Sequence, residues 1–187
     1  MTNRLFITLD IPDETIREIV RLRDELYSDK SPRWEGKDKL HITLKFLGDT
    51  DVDVIPQLEL MLTKLSDDFE QMKLSFNQFG IFYRNKLPSI FWLGISNNSY
   101  LVDIQDAVDE YCELFGFERE KRKFHPHLTL LRIKGNENFV LLENIAQTKI
   151  TPLIFTAKTI SLMKSELRRT GSAYTIIKSF ELSKTEE

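Results

Sequence analysis

Apolar residues recur along the chain in two rhythms. Leu5 to Ile11 is a short β-compatible run, and after Pro12 and Asp13 the residues Ile16, Ile19, Val20 and Leu26 return at helical spacing. A strand followed by a helix is therefore expected. Ser31 and Pro32 break that helix, Gly36 marks a loop, Leu40 to Leu47 reads as a second strand ended by Gly48, and the stretch from about Val52 to Leu65 as a second helix. Phe69 to Tyr83 and Ile90 to Ile95 are rich in aromatic and β-branched residues, and the polar connection Arg84-Asn85-Lys86-Leu87-Pro88 between them predicts an antiparallel hairpin. A third helix starts at Ser99, with Leu101, Ile104, Val108, Tyr111 and Leu114 or Phe115 as its apolar stripe and Gly116 as its stop. Beyond a basic segment come a strand from His127 to Ile133, a short helix near Glu137 to Ala146, and a closing pair of strands, Ile150 to Met163 and Ala173 to Leu182. The order β-α-β-α-β-β-α-β-α-β-β, with no linker polar enough to separate domains, predicts one α+β domain over residues 1–187.

Composition narrows the class. Hydrophobic residues are 41% and charged residues 29%, a globular balance that rules out disorder as the main state. With 26 basic against 29 acidic side chains the net charge is -3, so a polyanion cannot be held by bulk counterion release and must meet a local patch. Two such patches exist. Residues 118–134 carry Arg119, Lys121, Arg122, Lys123, Arg132 and Lys134 against two acids, and residues 33–45 carry four bases against two acids. A single cysteine, Cys112, excludes an internal disulfide and a cysteine-rich zinc site and suggests a reducing cytoplasm. Neither a signal-peptide core nor an 18-residue apolar span is present, so no membrane partner is expected.

The chemistry is concentrated in an internal echo. His41-Ile42-Thr43-Leu44 and His127-Leu128-Thr129-Leu130 both fall on predicted strands, and the chain's third histidine, His125, sits just before the second. Side chains two apart on a strand share a face, so each motif pairs an imidazole with a hydroxyl while Ile42 and Leu44, and Leu128 and Leu130, point to a core. If the two halves are related by an approximate two-fold axis, the pairs grip one small group from opposite sides. In-line displacement at phosphorus needs that arrangement: a base on the attacking oxygen, an acid on the leaving oxygen, and donors to the other oxygens. Imidazole titrates near neutrality and can take either part.

At these residues the sequence resembles the 2H phosphoesterase superfamily, and within it the prokaryotic RNA 2',3'-cyclic phosphodiesterases, the LigT-like or 2'-5' RNA ligase family. The resemblance covers nearly the whole chain. It rests on Arg4-Leu5-Phe6-Ile7-Thr8-Leu9-Asp10-Ile11-Pro12, on Leu40-His41-Ile42-Thr43-Leu44-Lys45-Phe46-Leu47-Gly48, on Phe91-Trp92-Leu93-Gly94-Ile95, on His125-Pro126-His127-Leu128-Thr129-Leu130-Leu131-Arg132, and on Ser165, Leu167, Gly171 and Tyr174 near the end. It implies a two-lobed, pseudo-two-fold fold with antiparallel sheets lining a central cleft. It also implies metal-independent hydrolysis of a terminal 2',3'-cyclic phosphate on RNA to a 2'-phosphomonoester, without a cofactor. Carried over by the resemblance, His41 is the proton donor to the departing 3' oxygen, His127 the proton acceptor from water, and Thr43 and Thr129 bind phosphoryl oxygens. The implied partners are RNA 3' ends or small cyclic-phosphate nucleotides, with no obligate protein partner and a monomer as the default.

Around these residues the expectations are ordered by alternation. Lys45, two beyond Thr43, shares the His41 face and is expected to bind phosphate; Arg132 falls on the face of Leu128 and Leu130 and reaches the cleft only through a twist or bulge. Phe46 and Phe6 are candidates for stacking on a base, although core packing competes for any phenylalanine. His125 is expected to help place His127, and Tyr174 and Ser165 to border the cleft. Alternative readings are a zinc site built from His41, His125 and His127, a nucleotide- or RNA-binding module without turnover, and a phosphodiesterase acting on 2'-5' oligonucleotides or cyclic nucleotides.

Overall fold

The motif strands sit side by side at the middle of one eight-stranded sheet. The structure is a computed structural model describing residues 1–27, 34–96, 98–169 and 171–184. The expected helix break at Ser31 and Pro32, and Arg33 of the first basic patch, lie outside the described residues. The strands are β1 (Thr2–Leu9), β2 (Ile42–Asp51), β3 (Met72–Arg84), β4 (Leu87–Ile95), β5 (His127–Arg132), β6 (Leu153–Ala157), β7 (Thr159–Arg168) and β8 (Gly171–Glu181), and the helices are α1 (Asp13–Leu26), α2 (Ile55–Asp68), α3 (Ser99–Glu113) and α4 (Phe139–Ala146). The sheet runs β6-β3-β4-β5-β2-β1-β7-β8 with antiparallel neighbours throughout.

Two four-stranded halves meet at β5 and β2, where a single residue pair, Ile42 with Leu128, is in register. The expected lobes are therefore halves of one sheet rather than separate sheets, and each contributes its innermost strand to the centre. One face of the sheet is apolar: Leu5, Ile7, Leu9, Ile160 and Leu162 are no more than 1% exposed, and burial of each such side chain contributes about 1.5–3 kcal/mol. Helices α2 and α3 pack against the β2, β7 and β8 half, and α4 against β3. No helix among the described residues is long and apolar enough to cross a membrane.

Local chemistry explains most boundaries. Helix α3 begins where the Asn98 side chain accepts the Leu101 N–H at 3.0 Å, and α4 where Asn138 accepts the Leu141 N–H at 3.1 Å, each satisfying a donor that the first turn leaves unpaired. The β3–β4 hairpin closes through Asn85 and Lys86, at φ 51° and 65°, which is the two-residue turn whose twist matches the strands.

Two expectations are corrected. Gly48 does not end the second strand: β2 continues to Asp51, and Gly48, at φ 72°, sits beside a bulge at Leu47 that bends the strand. The run from Ile150 to Met163 is not one strand but two. It divides at Lys158, with β6 on the outer edge beside β3 and β7 in the other half beside β1. Backbone bonds fix the division, from Leu182 N–H to Lys158 O at 2.8 Å and from Asp10 N–H to Thr159 O at 2.9 Å. Only Lys158 and Thr159 interrupt the apolar positions here, too short a break to read as a boundary between strands.

Candidate active site

Each motif strand contains a bulge at the same place, and the bulges decide which side chains reach the cleft. Along β2 the register with β1 passes from Thr43–Thr8 to Lys45–Ile7, leaving Leu44 as the extra residue. Along β5 the register with β4 passes from Thr129–Trp92 to Leu131–Phe91, leaving Leu130 extra. An inserted residue restarts the alternation with the opposite parity. Leu44 and Lys45 are both buried, as are Leu130 and Leu131, while Phe46 and Arg132 turn to the face that carries the histidines and threonines.

The strand faces expected for Lys45 and Arg132 are thereby exchanged. Lys45 does not share the His41 face. Its ammonium pairs with the Asp109 carboxylate on α3 and donates to the Glu118 carbonyl at 2.8 Å, with only 5% of the side chain exposed. Lys45 is thus a wall residue already engaged within the protein. Arg132 instead stands in the cleft beside both histidines.

The cleft encloses about 770 Å³ and brings together His41, Thr43, His127, Thr129 and Arg132, with Phe46 and Tyr174 along one side. Among the described residues, no protein hydrogen bond occupies the hydroxyls of Thr43 and Thr129. Ser165 pairs with Tyr174 across β7 and β8 but does not line the cleft.

His127 Nδ1 lies 2.7 Å from the His125 carbonyl oxygen. A carbonyl only accepts, so Nδ1 carries the hydrogen, and Nε2 of the neutral ring keeps its lone pair for a proton from the cleft. His125 therefore acts through its backbone, as the sequence suggested in kind. The His127 ring stands edge-on to Phe82 at 4.8 Å, and the His125 ring packs on Trp92 at 4.8 Å. The Trp92 indole can lie flat there because Gly80 and Gly94 leave the room: a Cβ on Gly80 would overlap Trp92 Cζ2, and one on Gly94 would come 2.5 Å from Cζ3. On the other half, His41 packs on Phe6 and Tyr174 with ring centres 5.2 and 5.5 Å away.

This aromatic enclosure sets the charge of the site. Burial, reinforced by the positive charges of Arg132 and His127, holds His41 down to about 4 from an ordinary 6.5. Burial also lowers His127, opposed by its bond to the His125 carbonyl and supported by the charges of His125 and Arg132. Both imidazoles are consequently neutral at pH 7 in the free protein.

Arg132 is oriented by a residue that the sequence did not single out. Its Nε donates to Glu35 Oε1 at 3.1 Å, and the other Glu35 oxygen lies 3.5 Å from Lys39 Nζ. The Glu35 N–H bonds the Leu130 carbonyl at 2.8 Å, which ties it to the bulge itself. With Nε taken, the two terminal nitrogens of this cleft-lining guanidinium remain as a fork of the kind that suits a bidentate oxyanion. Glu35 lies in a loop with no periodic pattern, and only the folded chain brings it to Arg132. The donor set needed for the zinc alternative is not assembled: among the described residues no three His, Cys, Asp or Glu side chains are placed to hold a metal ion.

Comparison with known proteins finds the same pattern of likeness in sequence and in shape. The family model described as the 2'-5' RNA ligase superfamily matches residues 11–169. A Methanocaldococcus jannaschii protein named RNA 2',3'-cyclic phosphodiesterase is 33% identical over 177 residues, covering 94% of this chain and 98% of its own length. One of the same name from Methanothermobacter thermautotrophicus is 31% identical over 186 residues, covering 97% of this chain and 100% of its own. Among solved structures, Escherichia coli LigT in apo form aligns with TM-score 0.78 at 26% identity, covering 97% of this chain and 98% of that one.

Proposed function

Since the chain belongs to the 2'-5' RNA ligase superfamily, we propose that it is an RNA 2',3'-cyclic phosphodiesterase which opens a terminal cyclic phosphate to a 2'-phosphomonoester by two-histidine acid/base catalysis, with no metal ion in the step. The broader statement, that it is a hydrolase of the phosphodiesterase class, follows from its kinship with enzymes of that name at about this level of identity. The finer reading is supported by one observation: the Nδ1 bond of His127 to the His125 carbonyl, which leaves Nε2 free on a ring that lines the same cleft as His41.

In this reading the cyclic phosphate lies between the two motif strands, its non-bridging oxygens held by the Arg132 fork and the hydroxyls of Thr43 and Thr129. Water attacks phosphorus as its proton passes to His127 Nε2. The bond from phosphorus to the 3' oxygen breaks, and His41 gives that oxygen a proton. One P–O bond forms and one breaks, and the proton gained by one imidazole balances the proton lost by the other.

His41 must be charged to donate, although its aromatic enclosure holds it neutral at pH 7. The anionic phosphate supplies the difference: it sets a negative charge against the ring and neutralises Arg132, one of the groups that depress it. The donor is thus armed by its own substrate. Phe46, 74% exposed and on the cleft face, offers a flat apolar surface to the terminal base.

The test is turnover of a short RNA ending in a 2',3'-cyclic phosphate, in the presence of EDTA, with 2'- and 3'-phosphate products resolved. A 2'-phosphate is expected. A 3'-phosphate would overturn the leaving-group assignment, and activity abolished by EDTA would overturn the metal-free step.

A further inference from the structure

One wall of the cleft is a basic strap whose cations the reaction at the cyclic phosphate leaves unused. Residues 118–123 carry no helix or strand, yet they are fastened at two points to a buried ion pair. Lys45 Nζ donates to the Glu118 carbonyl at 2.8 Å, and the Glu120 N–H donates to Asp109 Oδ2 at 2.9 Å. Asp109 lies on α3 and Lys45 on β2, so the strap is bolted directly to the strand that carries His41 and Thr43. Burying a charged pair costs desolvation that its mutual attraction offsets only with good geometry and further hydrogen bonds. Here both partners complete their bonds by fixing the strap.

Of the strap's two acids, Glu120 is answered within it, while Glu118 takes part through its backbone carbonyl and its carboxylate has no basic partner among the described residues. Glu120 Oε1 accepts the Arg122 N–H at 3.1 Å and lies 3.6 Å from Arg122 Nε, while Arg119 leans on Asp109 and Glu113 at 3.8 Å. Lys121 and Lys123 have no acidic partner among the described residues, and both line the cleft that holds the two histidines. In a chain of net charge -3, four bases against two acids in residues 118–123, with Lys121 and Lys123 unpaired among the described residues, leave this wall of the cleft net positive and suited to an anion.

We propose that Lys121 and Lys123 form a subsite for the phosphodiester backbone upstream of the terminal nucleotide, so that affinity rises when the RNA is lengthened past that nucleotide. This rests on the function proposed above. One terminal phosphate is already matched by Arg132, two imidazoles and two hydroxyls; further cations along the wall suit further phosphates. Lys45 and Asp109 are positioning residues in this scheme, acting through the strap.

The experiment measures binding and turnover separately, so that each reading fails on its own. Affinities of a five-nucleotide RNA ending in a 2'-phosphate and of the corresponding 2'-mononucleotide are compared at two salt concentrations, alongside kcat/KM on the matching cyclic phosphates. Two backbone contacts on a single strand steepen the slope of log affinity against log salt by about 1.4, so raising salt from about 50 to about 200 mM weakens the oligonucleotide about sevenfold more than the mononucleotide. Lys121→Gln combined with Lys123→Gln should remove that extra slope and reduce the oligonucleotide-to-mononucleotide ratio. Lys45→Met with Asp109→Leu, which replaces the buried pair by apolar side chains and frees the strap, should reduce the same ratio. Equal salt slopes for the two ligands in the unaltered protein, or an oligonucleotide preference that survives in the double glutamine variant, would overturn the subsite. Absence of turnover with the binding preference intact would sink the proposed reaction and leave the subsite standing.

Discussion

His41 is a group whose charge the fold alters strongly, and the alteration is measurable without any substrate. Its pKa in the folded protein is about 4, against an ordinary 6.5. A depressed folded value means that, as pH falls, the unfolded chain takes up the proton first. Stability is therefore whole above pH 6.5 and is lost as pH falls from there toward 4. Between pH 7 and pH 5 the difference in proton uptake costs about 2 kcal/mol at this one residue. The assay is urea unfolding at the two pH values for the natural protein and for His41→Gln, which keeps a polar side chain of similar size but does not titrate. The natural protein should lose about 2 kcal/mol more than the variant over that interval. Saturating inorganic phosphate should restore part of it, because an anion in the cleft favours the imidazolium. A variant that loses stability in parallel with the natural protein would refute the claim that His41 is held neutral, and with it the view that the phosphate arms the donor.

Other outcomes are expected from the same geometry. Arg132→Met should lower kcat/KM about 10²–10³-fold, the usual cost of removing one oxyanion donor; Glu35→Ala should lower it less, and Glu35→Gln, which still accepts from Nε, should recover most of the loss. Phe46→Ala should raise KM on an RNA substrate by an amount equivalent to about 1–3 kcal/mol of lost stacking, leaving the urea midpoint nearly unchanged because the ring is 74% exposed; an unaltered KM would remove the ring from the base site. Gly80→Ala should destabilise by about 1–3 kcal/mol, since its Cβ would overlap Trp92 Cζ2, and a neutral substitution would show that the indole is free to move.

Catalytic candidates were legible because they are written twice. His41 with Thr43 and His127 with Thr129 stand two apart on strands, and that spacing survives in the fold because both bulges come after the threonine. The same bulges hid the fate of the residues beyond each threonine. Counting by twos puts Lys45 on the His41 face and Arg132 on the core face, and an extra residue at Leu44 and at Leu130 inverts both. Nothing in the residues themselves marks a bulge here, since leucine at either position is at home in an unbroken strand; the extra residue exists only relative to the partner strand.

Element types, the hairpin turn at Asn85 and Lys86, and the paired imidazole and hydroxyl were determined by sequence alone, because each depends on neighbours within a few positions of the chain. What the tertiary structure decided depends on partners far away in sequence. The stretch from Ile150 to Met163 divides at Lys158 because the backbone of Leu182 meets Lys158 and that of Asp10 meets Thr159. Glu35 aims Arg132 across 97 residues, and Lys45 finds Asp109 across 64. Periodicity reports which side of a strand a residue is on; only pairing with a second strand fixes where that count restarts, and that restart places the guanidinium beside the histidines.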